Sequence, residues 1–547
     1  MPEELIDFAK SVISVATFSS NFFFMKRDYF STSAELLPLL HTWSLAVEEQ
    51  YYILFPLFLM FAWRFERRRI VQLLVVFCVL SLALAQWGAY NKPAEAFFLL
   101  LTRGWELAIG SFCAFYIAQT QESFGDRAKQ ILAALGLLLI LVAIFGFNED
   151  TPTPSFYILL PTIGTAMVIL FATKTTWVNW SLGARPMVAV GLVSYSAYLW
   201  HQPIFAFARH AKLGAISTVE VLALVGIVFA CAVFSWRFVE MPFRTRGFLK
   251  QSHVFGISMI SLAILIGAGI SLSSGDANLS RFNAKQQQVL HIGAENRQLM
   301  TKSAYDRFGC FFNSDQNPQQ LVDLECIPTG EGQKFILFGD SEAAHLREGI
   351  ISALEPFNAT FGQFTGAGCR AINYDANSKR CTEFIDHFFE ELDAKSSAGD
   401  IVIVASNWWN THRKLGDKEF AAAIGETLDR ILQSGVKPVL VLNSPDFLKN
   451  PYEMTVKTGS LPGSERYFFT QDYATSDSVL RDVARERGVE YFEPSTFLCR
   501  EDTTCLFVRD DDYFYFDTGH FSYHGSRKVA QKMFETLADG ALALKPK

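Results

Sequence analysis

The chain changes its hydrophobic rhythm once. From residue 44 to 273 it runs in long apolar stretches separated by short polar ones. Eight of these, at 44–63, 70–89, 96–118, 130–147, 156–173, 187–209, 217–238 and 253–273, approach the roughly 20 residues that cross a bilayer as a helix. The Phe-rich segment 5–25, ending Asn21-Phe22-Phe23-Phe24-Met25, reads as a ninth span or an interfacial helix. Basic residues fall in alternate connections: Arg64, Arg67, Arg68 and Arg69; Arg127 and Lys129; Lys174 and Arg185; Arg237, Arg244, Arg246 and Lys250. The opposite connections carry few charges, among them Glu149 and Asp150. This pattern predicts that the basic loops are cytoplasmic and that residues beyond 275 lie outside.

Residues 275–333 are polar without clean periodicity and read as a linker plus an extension of the C-terminal domain. From 334 onward, short apolar runs alternate with helical ones. Strands are expected at 334–338, 400–405, 437–442 and 489–493, and helices at 342–354, 418–434, 477–487 and 523–538. That alternation predicts a parallel sheet covered on both faces.

Composition sharpens the division. Of 547 residues, 50% are hydrophobic and 19% charged, greasy for a soluble protein. The net charge of −7 argues against a nucleic-acid partner. Met1-Pro2-Glu3-Glu4 does not read as the basic start of a cleavable signal peptide. Cys78, Cys113 and Cys231 sit in apolar runs as inert packing. The other six cysteines fall in close pairs, Cys310 with Cys326, Cys369 with Cys381 and Cys499 with Cys505. Local pairing predicts three disulfides and an oxidising compartment. No C-x2-C spacing is present, so no metal site is expected.

The candidate chemistry sits at two ends of the second half. Phe335-Ile336-Leu337-Phe338-Gly339-Asp340-Ser341-Glu342 reads as a buried strand, a sharp turn and a helix start. Ser341 there stands at the carboxyl end of a strand, where open α/β sheets bind ligands. Far downstream, Asp517-Thr518-Gly519-His520 offers a carboxylate and an imidazole. Nucleophile, base and orienting acid are the parts of a hydrolase or acyl transferase. His345, one helical turn beyond Ser341, reads as a substrate ligand or, preferably, a helix-surface residue. Trp408 and Trp409 suit either sugar stacking or core packing. In the apolar half, ionisable residues are costly and mark function or a helix-fixing network. The candidates are His41, Trp43, Glu48, Glu49, Arg103, Glu106 and His201. Arg103 and Glu106 could pair with each other or with the Glu48–Glu49 group.

Gly339-Asp340-Ser341 with Asp517-x-x-His520 resembles the SGNH (GDSL-like) esterases and acyltransferases. His41-Thr42-Trp43-Ser44-Leu45-Ala46-Val47-Glu48-Glu49-Gln50-Tyr51-Tyr52 resembles the hallmark of the acyltransferase-3 membrane family, as do Trp200-His201-Gln202-Pro203 and the run 237–244. Together they resemble bacterial enzymes that O-acetylate surface polysaccharides such as O-antigen. The resemblance implies a polytopic helical domain of about 8–9 spans over 1–273, a periplasmic connection over 274–333, and an α/β/α, flavodoxin-like SGNH domain over 334–547. It implies an oxyanion hole from Ser341, from Gly366 or Gly368, and from Asn407, although the usual Gly-x-Asn-Asp setting is missing around Asn407. It implies acetyl-CoA as the cytoplasmic donor, with no bound cofactor, and a periplasmic polysaccharide acceptor. The family opens with earlier spans carrying a basic residue and then a histidine. This chain starts after that point, so the resemblance assigns no donor-side histidine here. Two other readings stay open: an anchored esterase that deacetylates an envelope glycan, and a multispan transporter with a glycan-binding module.

Overall fold

The computed structural model describes residues 2–26, 34–62, 64–118, 124–148, 151–212, 216–245, 247, 249–274, 280–306, 309–313, 324–330, 332–374, 379–447, 450–458, 464–468, 473–500, 504–509 and 512–538. Of the loop residues considered for orientation, Arg246, Glu149, Asp150 and 275–279 lie outside them. The chain divides into two compact units, residues 1–279 and 280–547.

The first unit is all helical. Among the described residues, six helices are long and apolar enough to cross a membrane: Thr42–Ala62, Arg68–Asn91, Pro93–Ile117, Asp126–Gly146, Thr218–Arg244 and Gln251–Ser273. The expectation of eight or nine is therefore not met by length and apolarity alone. Phe156–Phe171 is apolar but short. Arg185–Ala211 is long, but its centre holds Ser194, Ser196, Tyr198, His201 and Gln202. The 5–25 segment breaks at Thr17–Ser19, where Phe18 takes a left-handed φ of 54°. The helix before it, Pro2–Ala16, has 15 residues. That is about 22 Å of helix, short of a ~30 Å hydrocarbon core.

The second unit is built on a six-stranded parallel sheet. Its strands are β1 (Phe311–Phe312), β2 (Gln333–Gly339), β3 (Ala359–Gly366), β4 (Ile401–Ala405), β5 (Lys437–Val441) and β7 (Glu490–Phe492), in the order β1-β3-β2-β4-β5-β7. Beyond β1, this is the 2-1-3-4-5 order of doubly wound sheets. A small antiparallel sheet joins β6 (Ser464–Phe468), β8 (Thr504–Arg509) and β9 (Asp512–Tyr513). Ile336, Phe338, Val402, Val404 and Leu440 point to one face and meet Phe384, Phe388, Leu392, Ile424 and Leu480. Phe335, Leu337, Ile401, Ile403 and Val439 alternate with them and are equally buried. Parallel strands covered on both faces read as continuous apolar runs for this reason.

Two stretches differ from expectation. Much of the expected linker is the helix Ala284–Ser303, whose Asn283 and Gln286 form a reciprocal N-terminal cap. The helix expected over 342–354 is two pieces, Ser341–Ala344 and Arg347–Leu354. The three disulfides pair as the spacing implied, 310–326, 369–381 and 499–505, and Cys78, Cys113 and Cys231 are free.

Candidate active site

β2 carries the site because it can approach β4 closely. A Cβ on Gly339 would lie 1.7 Å from the Ala405 carbonyl oxygen, and its φ of +147° suits glycine. The register sets Gly339 opposite Thr365 of β3 and Ala405 of β4. The turns after these three strands, holding Ser341, Gly366–Gly368 and Asn407, therefore share one end of the sheet, where the strand order reverses.

Asp340 caps the helical turn that begins at Ser341. Its Oδ1 accepts the Glu342 N–H at 2.9 Å, and its Oδ2 accepts the Asn407 N–H at 3.0 Å. Ser341 Oγ lies 2.9 Å from His520 Nε2, and Asp517 Oδ2 lies 2.8 Å from His520 Nδ1. Asp517 Oδ1 also accepts the N–H groups of Gly519 (2.9 Å) and His520 (2.7 Å), which fixes the carboxylate behind the ring. Burial pushes Asp517 up, but His520 and these donors outweigh it and hold the carboxyl below its usual range. Burial alone would favour a neutral His520. Asp517, Glu342 and Asp446 outweigh it and lift the imidazole to about 10.

Gly366 ends β3, and Gly368 takes the left-handed conformation (φ +67°) in the turn beyond it, pinned by the Cys369–Cys381 bridge. Asn407 caps the helix Trp408–Gln433, its Oδ1 accepting the Asn410 N–H. Trp408 is core: it is fully buried and donates through Nε1 to the Val441 carbonyl. Trp409 is half-buried, beneath the Arg413 guanidinium at 4.6 Å. His345 is not a helix-surface residue. It is fully buried against Phe521, with ring centroids 4.2 Å apart. Burial and the His520 charge drive it well below the usual histidine range.

Three further contributors lie outside the sequence motifs. Tyr305 donates to the Ser341 carbonyl at 3.1 Å and touches the His520 ring edge-on at 5.9 Å. Asp446 lies where a Cβ on Gly519 would be, 1.8 Å from its Oδ1, and burial lifts it to about 6. Glu342 is buried beside His520. Adjacency to Ser341 is a signal for Glu342; Tyr305 and Asp446 reach the site only through the tertiary fold.

In the helical unit five of the seven candidates fall into two groups, and Glu48 and Glu49 are half-buried outside them. His41 is buried between Tyr198 and His201, each ring 5.2 Å away, and neither of its ring nitrogens has a hydrogen bond among the described residues. The Tyr198 hydroxyl donates to the His41 carbonyl, and His201 Nδ1 donates to the Tyr198 carbonyl, both at 2.6 Å. In the second group the Arg103 guanidinium covers Trp43 at 5.0 Å and grips both Glu106 oxygens, at 3.2 and 2.8 Å. Arg103 thus pairs with Glu106 rather than with Glu48 or Glu49.

A serine–imidazole–carboxylate constellation stands at a doubly wound sheet's switch point, on a chain that also carries a multi-pass helical unit. Residues 309–535 match the family described as the SGNH domain fused to acyltransferase-3 domains, and residues 8–237 match the acyltransferase domain itself. The chain joins these two domains. Among similar proteins, O-acetyltransferase OatA of Staphylococcus aureus strain MRSA252 is 30% identical over 294 residues, covering 50% of this chain and 48% of that one. Putative peptidoglycan O-acetyltransferase YrhL of Bacillus subtilis is 24% identical over 59% of this chain and 54% of its own. Peptidoglycan O-acetyltransferase OatA of Listeria monocytogenes is 25% identical over 55% and 51%. The chain spans about half the length of these relatives. Among solved structures, the periplasmic domain of a Salmonella Paratyphi A lipopolysaccharide acetyltransferase aligns at a TM-score of 0.39 and 16% identity, over 47% of this chain and 98% of that one.

Proposed function

We propose that the chain is a membrane-bound O-acetyltransferase that moves acetyl from a cytoplasmic donor, acetyl-CoA, to hydroxyls of a cell-envelope glycan, with Ser341 as the acyl-carrying nucleophile. The reading rests on the Ser341–His520–Asp517 geometry in a domain fused to an acyltransferase domain. The relatives named as peptidoglycan O-acetyltransferases support a glycan acceptor. Three disulfides and the alternating basic loops support a C-terminal unit outside the inner membrane.

In the first half-reaction, His520 Nε2 takes the Ser341 proton as Oγ adds to the acetyl carbonyl. The tetrahedral oxyanion is met by N–H donors at this sheet end: Ser341, Gly366 or Gly368, and the Asn407 amide, whose oxygen is already occupied. His520 then returns the proton to the departing group, leaving acetyl on Ser341. In the second half, His520 takes the proton of a sugar hydroxyl, the sugar oxygen attacks acetyl-Ser341, and Oγ leaves with that proton. Asp517 stabilises the imidazolium in both halves. The His41–His201 and Trp43–Arg103–Glu106 groups are the candidates for handling the acyl group within the bilayer.

The test is mass spectrometry after incubating the full chain in membranes with isotopically labelled acetyl-CoA. Label on the Ser341 peptide of wild type, absent from Ser341→Ala, is expected. Equal labelling of both sinks the proposal.

A further inference from the structure

The Ser341 edge of His520 faces two oxygens, not one. His520 Nε2 lies 2.9 Å from Ser341 Oγ and 3.6 Å from Glu342 Oε1. Glu342 cannot turn away freely. Its own N–H is held by Asp340, and its side chain is buried. Its other oxygen has no hydrogen bond among the described residues and sits 3.5 Å from His345 Nδ1. That nitrogen already accepts the Phe521 N–H at 3.4 Å, so its one lone pair is taken up and it has no proton to give Glu342. His345 Nε2, the protonated nitrogen of this tautomer, faces Ser444 Oγ at 3.5 Å. Of the two imidazoles in ion-pair range of Glu342, only His520 can offer it a proton.

We propose that Glu342 is a positioning residue that keeps the proton on His520 Nε2 between acyl transfers, so that Ser341 stays unactivated until that proton leaves. This rests on the reading of Ser341 as nucleophile. The balance is simple: serine addition needs an unprotonated Nε2, whose lone pair receives the Oγ proton, and the Glu342 carboxylate stabilises the form in which Nε2 is already protonated. Most other groups around the pair act in the same direction or are neutral; Arg370, whose charge reaches Asp340, is the opposing one. Asp517 and Asp446 also favour the imidazolium. His345 is kept uncharged by burial. Asp340, Tyr473 and Tyr515 carry no positive charge that would release the proton. Burial lifts Glu342 itself well above its usual value, and the His520 charge opposes that rise.

The experiment is the pH dependence, from pH 5 to 10, of 4-nitrophenyl acetate turnover by the full chain in detergent, with Ser341→Ala subtracted as background. Wild type should show a rising limb with its midpoint above neutral. In Glu342→Gln the midpoint should fall by about one unit or more, the effect of removing a charge at this distance. On the rising limb that is about a tenfold faster rate, relative to each protein's maximum. Glu342→Asp, which keeps the charge but withdraws it, should lie between the two. A wild-type or higher midpoint in folded Glu342→Gln overturns the proposal, and if that variant does not fold, an unshifted midpoint in Glu342→Asp does so. Ser341→Ala turning over the ester as fast as wild type would instead overturn the nucleophile assignment.

Discussion

Asp340 joins the turn after β2 to the turn after β4: its Oδ2 accepts the Asn407 N–H at 3.0 Å while its Oδ1 accepts the Glu342 N–H. The side chain is buried, so neither donor has water as a substitute. Asp340→Asn keeps one acceptor and sets an NH2 group against a backbone donor. Denaturant unfolding should show a loss of about 1–3 kcal/mol. Because Asn407 moves with its N–H, the rate of Ser341 acetylation should fall by at least about tenfold, part of the ~10²–10³ cost of losing an oxyanion donor. Wild-type rate in this variant would remove Asn407 from the oxyanion hole.

The close approach of β2 and β4 gives a second test. Gly339→Ala would drive a methyl group to 1.7 Å from the Ala405 carbonyl, at a φ that L residues avoid. Strand separation at the Ser341 end must increase, and the expected loss is about 3 kcal/mol or more. Gly399 has a similar left-handed φ of +97° but open space around its Cβ position. Gly399→Ala should cost only the backbone term, about 1–2 kcal/mol. Equal midpoints for the two variants in denaturant would contradict the steric account.

The Cys369–Cys381 bridge closes the turn after β3, next to the site, and Arg370 Nε within it donates to the Asn407 carbonyl at 3.4 Å. Cys499–Cys505 closes a shorter loop. Chain entropy assigns about 3 kcal/mol to the first and about 2 kcal/mol to the second. Serine replacement of either pair should lower stability by about these amounts. Only loss of 369–381 should also slow acetylation of Ser341 by more than the unfolding accounts for, measured below the unfolding transition.

The parts of this architecture legible in sequence are those with local signals. Strands β2, β4, β5 and β7 are apolar runs, and Ser341, Asp517 and His520 sit in short motifs. β3 escapes a reading by pattern because Gly362 and Gln363 interrupt it. The structure shows why they are tolerated: Gln363 Nε2 donates to the Ala304 carbonyl and to Thr365 Oγ1. The helix Lys379–Lys395 and the β6-β8-β9 sheet escape it as well. Residues 284–312 look like a tether because their apolar positions are few. Yet Tyr305 seals the back of Ser341, a contact made across 36 residues of sequence. The buried carboxylates Glu342 and Asp446 carry no periodic signal, since their cost is offset by a histidine distant in sequence.

The charge arrangement around His520 makes the second unit's stability depend on pH in a way one variant can isolate. In the fold the imidazole is lifted to about 10, above the ~6.5 of an unfolded chain. A group raised on folding contributes stability that is complete below its unfolded value and is lost as pH climbs through its folded one. The stability difference between wild type and His520→Gln should therefore be greatest near pH 6, shrink from pH 6.5 upward and vanish near pH 10. Asp517 gives the opposite limb. Its carboxyl is held down by His520 and by the Gly519 and His520 N–H groups, so its contribution is present above its unfolded value near ~4 and is lost as the solution becomes more acidic. Urea titrations of both proteins at half-unit intervals from pH 3 to 10 measure both limbs. A wild-type minus His520→Gln difference that stays constant between pH 6 and 10 would show that the ring is not held as an imidazolium between these carboxylates.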